Sequence, residues 1–283
     1  MSDVPAPPPP LAAQVAVDVV AEIDRRIIAS LPGRFGAVVV VDEDGLRYLR
    51  FGDVDGADQS GIDPKHPSRV LFEYIRIAAL ALDRHDTPKP PRRALVVGLG
   101  GGAYARLLLE RAATVVVDAV EIDAVVVDLA RRYFSLPNTP RLQVHVDDGA
   151  HFIQSARAGY DIVLLDAFSG DDMPAALSTP AFFADVRRVL ADDGVVVLNV
   201  ALINDAAAAE ITRRFAAAFP GCVVAKAKTE ENRIIFGGRR PMYKTQWQSV
   251  AARSTASLGF DVLKDLSDLA PCPQGPAADD ALR

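Results

Sequence analysis

Carboxylates follow apolar runs at three places in the central part of the chain. Glu121 ends the run "AVE", Asp148 follows "LQVHVD", and Asp166 follows "DIVLL". Such runs are typical of buried parallel strands, whose carboxyl ends meet at one edge of a sheet and line its ligand crevice. Carboxylates at that edge accept hydrogen bonds from hydroxyl and amine groups. We therefore predict that these three residues bind a small polar ligand there.

Each acid has its own predicted role. Glu121 is placed to accept both hydroxyls of a ribose, and Asp148 to accept from the exocyclic amine of an adenine. The alternative is that Asp148, or Asp147 beside it, only caps the following helix. Asp166 can orient an incoming amine or hydroxyl and take its proton. The alternative for Asp166 is bonding to backbone amides of its own loop.

A glycine-rich turn, "GLGGGA" from Gly98 to Ala103, connects the run "ALVV" to a helical pattern. Glycine allows the backbone to approach a ligand closely and to adopt positive φ. This turn suits a nicotinamide dinucleotide about as well as a sulfonium nucleoside, and a structural turn without ligand also remains open. The third acidic strand end favours the sulfonium nucleoside. The predicted ligand contacts in the turn are Gly98, Gly100, Gly101 and Gly102.

From Ala94 onwards, strand-like runs alternate with helical patterns, which predicts an α/β fold with helices on both faces of a mostly parallel sheet. The last two runs are separated by only about three residues, too few for a helical crossover, so they are predicted to form an antiparallel hairpin at the sheet edge. The proposed strands are "ALVV", "TVVVDAVEI", "LQVHV", "DIVLLD", "GVVVLNV", "CVVAKAK" and "NRIIFG".

The N-terminal region predicts a small appendage. Apolar residues from Val15 to Leu31 recur at helical spacing, which indicates an amphipathic helix ending before Pro32. Two strand-like runs around an Asp-Gly turn, Ala37 to Phe51, predict a β-hairpin. Ser68 is a suitable N-cap for the helix "RVLFEYIRIAALAL". The predicted division is a disordered tail over 1–12, this appendage over 13–90, the catalytic domain over 91–240, a helical extension over 241–270 and a disordered tail over 271–283.

Composition narrows the class of partner. The net charge is −6 and the basic residues are scattered, which argues against a nucleic-acid groove. No run reaches the ~20 apolar residues of a membrane span, and the proline-rich start lacks the features of a signal peptide, so we expect a cytoplasmic protein without membrane contact. Cys222 and Cys272 lie far apart, and neither a disulfide nor a metal site is predicted.

With these residues placed, the chain resembles the spermidine synthase family, a branch of the class I S-adenosylmethionine-dependent methyltransferase fold. The resemblance covers roughly residues 36–240 and implies a Rossmann-like seven-stranded sheet with an N-terminal helix and β-hairpin. It implies that Glu121 binds ribose, that Asp148 and Gly149 bind adenine, and that Asp166 is the catalytic aspartate. Pro174 matches a proline that closes over the nucleoside.

The chain departs from the family in its acceptor half. Gly101 stands where the family has an aspartate that holds the amino group of the aminopropyl chain. The family helix that gates the acceptor site reads "LFEYIRIAAL" here, leaving Glu73 and Tyr74 as the predicted acceptor-binding residues, with Arg76 as a further candidate. In "DAFSGDD" the second acid is shifted, so the substrate candidates on that loop are Asp171 and Asp172.

A polyamine is multiply cationic and needs several carboxylates in a closed site. Gly101 lacks one of them and removes the repulsion that an aspartate would exert on a carboxylated donor. The sequence therefore favours methyl transfer from S-adenosylmethionine to a small molecule, preferably an amine, over aminopropyl transfer from decarboxylated S-adenosylmethionine. No metal is implied, and a homodimer through the appendage is possible. The other hypotheses are a non-catalytic nucleoside-binding scaffold and an NAD-dependent oxidoreductase, which leaves Asp148 and Asp166 without a role.

Overall fold

The computed structural model describes residues 24–84, 89–167, 173–201 and 205–273. They form a four-stranded antiparallel sheet in the order β1-β2-β3-β4 and an eight-stranded sheet in the order β12-β10-β11-β9-β8-β5-β6-β7. The strands of the first sheet are β1 Arg25–Gly33, β2 Gly36–Glu43, β3 Leu46–Phe51 and β4 Asp58–Ile62.

The predicted hairpin is confirmed, with β2 and β3 joined at Asp44 and Gly45, both of which have positive φ as tight hairpin turns require. The predicted N-terminal helix is wrong over 25–33, where the chain forms β1 and pairs antiparallel with β2. Ile27 and Leu31, which suggested a helix, are four residues apart, a spacing that fits a regular strand as well. In β1 a register shift between Ile27 and Ala29 leaves Ile27 exposed, whereas Leu31 packs on the core. Residues 15–23 lie outside the described part of the chain.

All seven predicted strands of the large sheet are present, and the α/β fold with a mostly parallel sheet is confirmed. The chain order reverses between β5 and β8, so the ligand crevice is expected beyond the carboxyl ends of these two strands. The strands are β5 Arg93–Val97, β6 Val116–Glu121, β7 Leu142–Val146, β8 Tyr160–Leu165, β9 Leu190–Ala201, β10 Val223–Ala227 and β11 Asn232–Gly238.

An eighth strand, β12 Leu266–Pro271, pairs antiparallel with β10. The β10–β11 hairpin is antiparallel as predicted, but β12 rather than the hairpin forms the sheet edge. This pairing places Cys272 beside Cys222, and the two form a disulfide with 5.5 Å between their Cα atoms. The prediction of two unpaired cysteines is therefore wrong, because a separation of 50 residues in sequence says nothing about strands that pair. The predicted disordered tail also begins too early, since Pro271 belongs to β12.

Helices cover both faces of the large sheet. Ile77, Leu108 and Trp247 on one face, and Phe183 and Phe215 on the other, are completely or almost completely buried. Among the described residues, no helix is long and apolar enough to cross a membrane. The helices are α1 Glu73–Ala78, which continues as a 3-10 turn over Ala79–Asp83, α2 Ala103–Arg111, α3 Ala124–Tyr133, α4 Gly149–Ser155, α5 Pro180–Val189, α6 Asp205–Ala218 and α7 Lys244–Leu258.

The predicted start of the helix that carries Tyr74 needs a correction. Ser68 does not cap it: the Ser68 hydroxyl donates to Glu110 Oε1 at 3.0 Å, and α1 begins only at Glu73. The segment between Ser68 and α1 is irregular, and the first backbone amides of α1 donate to the Glu230 carboxylate.

Candidate active site

The glycine turn and Asp166 meet where β5 and β8 end. The Asp166 amide donates to the Val97 carbonyl at 2.8 Å, and the Gly98 amide donates to the Val120 carbonyl at 2.9 Å. Gly98 has a φ of +92°, and a Cβ at this position would lie 2.0 Å from the Asp166 carbonyl oxygen. Only glycine fits there, so the turn can run directly past Asp166.

Gly101 has a different environment from the one its sequence position suggests. A Cβ at Gly101 would lie 2.7 Å from Ser60 Oγ and 2.8 Å from Phe134 Cδ1. The N-terminal sheet, through β4, therefore packs directly on this part of the turn. An aspartate at Gly101 would require Ser60 and Phe134 to move. The missing carboxylate is thus explained by packing. Gly102 begins α2 with a φ of +77° and is also buried.

Glu121 lies at the tip of β6, next to the glycine turn. Its Oε2 accepts from the amides of Leu99 at 3.1 Å and Gly100 at 3.4 Å, and its Oε1 accepts from the Asp123 amide at 3.1 Å. Burial raises the pKa of Glu121, while these three amides oppose the rise. A carboxylate has about four acceptor sites, so the three described amides leave about one, on Oε1, for a ribose hydroxyl.

Asp148 is the N-cap of α4, as the alternative prediction had it. Its Oδ1 accepts from the amides of Ala150 at 2.8 Å and His151 at 3.1 Å. Gly149 follows at the start of α4, and a Cβ there would lie 2.5 Å from Val97 Cγ1. The first turn of α4 therefore lies against the end of β5. The adenine-binding role of Asp148 and Gly149 remains a prediction.

Pro174 opens a short 3-10 turn, Ala175–Ser178, beside the start of α4. The Leu177 amide donates to the Pro174 carbonyl at 2.8 Å, and Leu177 Cδ2 lies 3.6 Å from the position a Gly149 Cβ would take. This arrangement places Pro174 next to the predicted adenine-binding residues. Asp171 and Asp172 lie outside the described residues, so their predicted substrate role remains a prediction.

The side chain of Asp166 is held by residues from two other elements. Asn199 Nδ2, on β9, donates to Asp166 Oδ1 at 2.8 Å, and the Tyr74 phenol of α1 interacts with the carboxylate and lowers its pKa. Burial raises the pKa of Asp166 to about 7, and the two hydrogen bonds oppose that rise. Burial and the neighbouring Asp166 charge raise the pKa of Tyr74, so its phenol stays protonated and can donate.

Asn199 and Asn232 extend this network, and neither was singled out in the sequence. Asn232 Nδ2, at the start of β11, donates to Asn199 Oδ1 at 2.9 Å. Asn199 is only 3% exposed. The signal was present in "GVVVLNV", where an amide interrupts an apolar run, because a buried polar side chain needs a specific partner.

Glu73, predicted to bind the acceptor, instead fastens α1 to the loop between β10 and β11. Its Oε2 accepts from the amides of Lys228 at 2.9 Å and Thr229 at 2.8 Å. In return, the Glu230 carboxylate accepts from the Glu73 amide at 2.7 Å and the Tyr74 amide at 2.9 Å. The two acids therefore exchange backbone hydrogen bonds, and the geometry gives Glu73 a structural role.

Arg76 was a further candidate for binding the acceptor substrate. In the structure it holds α1 in place through hydrogen bonds to its neighbours. Its Nε and Nη2 each donate to the Asp265 carboxylate at 2.8 Å, and its Nη1 donates to the Val70 and Leu71 carbonyls. Of the three predicted residues on α1, Tyr74 is thus the one that contacts Asp166.

The described part of the chain shows no group of three or more His, Cys, Asp or Glu residues placed to hold a metal ion.

Comparison with known proteins places this site in context. The spermine/spermidine synthase domain family matches residues 72–229. The chain is 32% identical to the polyamine aminopropyltransferase of Chromobacterium violaceum over 232 residues, which cover 81% of this chain and 87% of that protein. It is also 31% identical to the human eEF1A lysine and N-terminal methyltransferase, over 59% of this chain and only 26% of that much longer protein.

Solved structures agree on the fold. A probable spermidine synthase from Corynebacterium glutamicum superposes with a TM-score of 0.70 at 21% identity, over 81% of this chain and 88% of that one. Human methyltransferase-like protein 13 in complex with SAH gives a TM-score of 0.60 at 24% identity, over 75% of this chain and 100% of that one. With the family match spanning more than half of its length, the chain belongs to the spermine/spermidine synthase domain family, which confirms the predicted spermidine synthase-like transferase.

Proposed function

We propose that this protein transfers an aminopropyl group from decarboxylated S-adenosylmethionine to a small-molecule amine. The observation that carries the proposal is Asp166, a carboxylate held by Asn199 and Tyr74 at the carboxyl end of β8 with a pKa of about 7. Such a group is half ionised near neutral pH and can take a proton from an attacking amine. The polyamine aminopropyltransferase of Chromobacterium violaceum, which matches most of both chains, supports this donor.

This proposal replaces the preference for methyl transfer drawn from the sequence. That preference depended on the negative charge that is missing at Gly101, where the family has an aspartate. Gly101 is packed against Ser60 and Phe134, so the glycine by itself does not make room for a donor carboxylate. The missing carboxylate at Gly101 does not by itself select a donor, and the names of the relatives favour aminopropyl transfer.

The proposed reaction is an in-line displacement at the carbon of the aminopropyl chain attached to the sulfonium. The amine nitrogen forms a bond to that carbon as the carbon–sulfur bond breaks, the electron pair returns to sulfur, and methylthioadenosine leaves. Asp166 orients the amine and takes the proton that the new ammonium group releases. Glu121 holds the ribose and Asp148 the adenine. Alignment and exclusion of water supply most of the acceleration.

Methyl transfer from S-adenosylmethionine is the second candidate. It is favoured by the similarity to proteins named eEF1A lysine and N-terminal methyltransferase, although this chain covers only about a quarter of their length. The chemistry at sulfur is the same, with a methyl group in place of the aminopropyl chain, and Asp166 would serve the same role toward the acceptor amine.

Titration calorimetry with four ligands separates the candidates: S-adenosylmethionine, its decarboxylated form, methylthioadenosine and NADH. We expect the decarboxylated donor to bind more tightly than S-adenosylmethionine, and methylthioadenosine to be released when a diamine is added. Tighter binding of S-adenosylmethionine with demethylated product would select methyl transfer. Preference for NADH would end both proposals, and nucleoside binding without product from either donor would indicate a scaffold.

Asp166→Asn provides the matched test of the chemistry. The variant is expected to bind methylthioadenosine as the unaltered protein does and to lose turnover. Asp268→Asn, the same substitution at an exposed position on β12, should leave both unchanged. Full turnover by Asp166→Asn would contradict the proposed role.

A further inference from the structure

We propose that Asn232 is a positioning residue: by fixing the direction of the Asn199 amide, it keeps a hydrogen-bond donor aimed at Asp166. The inference deepens the proposed function, since it concerns the group that accepts the proton there. In the described part of the chain, the hydrogen bond from the Asn232 side chain ends at Asn199 and does not reach Asp166. Its effect would therefore pass entirely through the amide of Asn199.

The orientation of the Asn199 amide depends on its hydrogen-bond partners. One end of Asn199 is a donor and the other an acceptor, and the two have nearly the same shape, so packing alone does not choose between them. Asn232 Nδ2 donates to Asn199 Oδ1 at 2.9 Å, which occupies the acceptor end. The donor end then faces Asp166 Oδ1 at 2.8 Å. In the opposite orientation, an amide oxygen would face the carboxylate.

Sheet register places the three residues in line. β11 pairs antiparallel with β9, where Ile234 lies directly opposite Asn199 and Asn232 lies opposite Ala201. Asn232 is therefore the diagonal neighbour of Asn199 on the adjacent strand, within reach of a side chain. Parallel pairing of β9 with β8 brings Asn199, just beyond Leu198, beside Asp166, just beyond Leu165. The network thus crosses three adjacent strands.

Few other described side chains interact with the Asp166 carboxylate. From α1, the Tyr74 hydroxyl donates to the carboxylate, and Glu230 lies beyond Tyr74 at the start of that helix. Among the described residues, Tyr74 is the titratable side chain whose interaction affects the pKa of Asp166. Its phenol is a donor whatever the state of Asn199. A change in the orientation of Asn199 is therefore expected to alter the pKa of Asp166 directly.

Asn232→Asp tests the inference. A carboxylate at position 232 accepts from Asn199 Nδ2, which turns the amide and presents its oxygen to Asp166. The ionised form of Asp166 then loses a donor and gains a repulsive neighbour, so the pKa of Asp166 should rise by about one to two. The measurement is a pH titration of ¹³C-labelled aspartate carboxyls by NMR, with Asp166→Asn identifying the signal.

The new negative charge at position 232 would also raise the pKa of Asp166 slightly through space. A double-mutant cycle separates this direct effect from the effect that passes through the Asn199 amide. In an Asn199→Ala background, Asn232→Asp should raise the pKa of Asp166 by less than about half of the rise seen with Asn199 present. An equal rise in both backgrounds, or none in either, would overturn the inference. Asn138→Asp, the same change at an exposed position, should leave the Asp166 titration unchanged.

Asn232→Ala is the uncharged companion if Asn232→Asp does not fold. It frees the Asn199 amide, and the pKa of Asp166 should rise by a smaller amount that disappears in the Asn199→Ala background. The titrations need no donor or acceptor, so they stand apart from the proposed reaction. A shifted titration in a protein that transfers nothing from either donor would refute the proposed function and leave the positioning role intact.

Discussion

At Asp166, burial and hydrogen bonding have opposite effects on the pKa of the carboxyl group. Burial alone favours the neutral acid, whereas Asn199 and Tyr74 favour the carboxylate, and the balance leaves a pKa of about 7. A base with this pKa combines a useful ionised fraction at neutral pH with real affinity for a proton. The residues around Asp166 therefore tune the one group on which the proposed chemistry depends.

The pH dependence of the reaction follows from this value. Since Asp166 must be ionised to accept a proton, kcat/KM should rise with pH and reach half of its plateau near pH 7. Tyr74→Phe removes one of the donors that lower the pKa, so the same limb should move about one pH unit higher. A pH–rate profile that is flat between about pH 5.5 and 8 would contradict the role of Asp166 as the base.

Glu121 offers a second test at a single residue. Glu121→Gln keeps the shape of the side chain, but its NH₂ group cannot accept from the amides of Leu99 and Gly100. Lost charge-assisted bonds to these amides and to the ribose should weaken methylthioadenosine binding about 10- to 100-fold by calorimetry. Glu110→Gln at the exposed end of α2 is the matched control. Unchanged affinity in Glu121→Gln would remove this residue from the nucleoside site.

At the level of elements, α1 is a short helix held by its neighbours more than by its own length. Six residues are too few for independent helical stability. The exchange of backbone bonds between Glu73 and Glu230, and the paired bonds from Arg76 to Asp265, fix the helix on the β10–β11 loop and the start of β12. Because α1 carries Tyr74, these contacts also fix one of the two donors to Asp166.

Glu230→Ala should loosen this helix. It leaves the amides of Glu73 and Tyr74 without their acceptor, which should lower the free energy of unfolding by about 1–2 kcal/mol in urea. The KM for the acceptor should rise, whereas methylthioadenosine affinity should hold, since the nucleoside-binding residues lie on other elements. Glu231→Ala, an exposed neighbour, should change neither quantity. Equal losses of both affinities in Glu230→Ala would indicate a general loss of structure instead.

On the scale of the whole molecule, β12 forms the edge of the large sheet next to β10, and the Cys222–Cys272 disulfide links the two strands covalently. The bond encloses a long segment that contains β10, β11 and α7, since the two cysteines are 50 positions apart in sequence. Closing a loop of this length restricts the unfolded chain, which favours the folded state.

Reduction should therefore destabilise the protein without dismantling the sheet. We expect the free energy of unfolding in urea to fall by about 2–4 kcal/mol when a thiol reductant is present. The double variant Cys222→Ser, Cys272→Ser should show the lower stability at once and should not respond to reductant. Identical transitions for the unaltered protein with and without reductant would show that the bond contributes nothing.

The sequence alone determined seven of the eight strands of the large sheet in their order, the glycine turn and the acids at the strand ends. Apolar runs and glycines act locally, through burial and through backbone sterics, so Gly98, Glu121 and Asp166 could be identified from their flanking residues. The same local information was ambiguous over Ile27 and Leu31, because a spacing of four residues suits a helix and a strand alike.

Only the tertiary structure decided which distant residues became partners. Glu73 with Glu230, Cys222 with Cys272, and Asn232 with Asn199 are separated by 157, 50 and 33 residues. Hydrogen bonds of this kind depend on strand register and helix placement, and neither is encoded in a local pattern. For that reason the acids of the site were found from the sequence, whereas the residues that hold Asp166 emerged only when β8, β9, β11 and α1 came together.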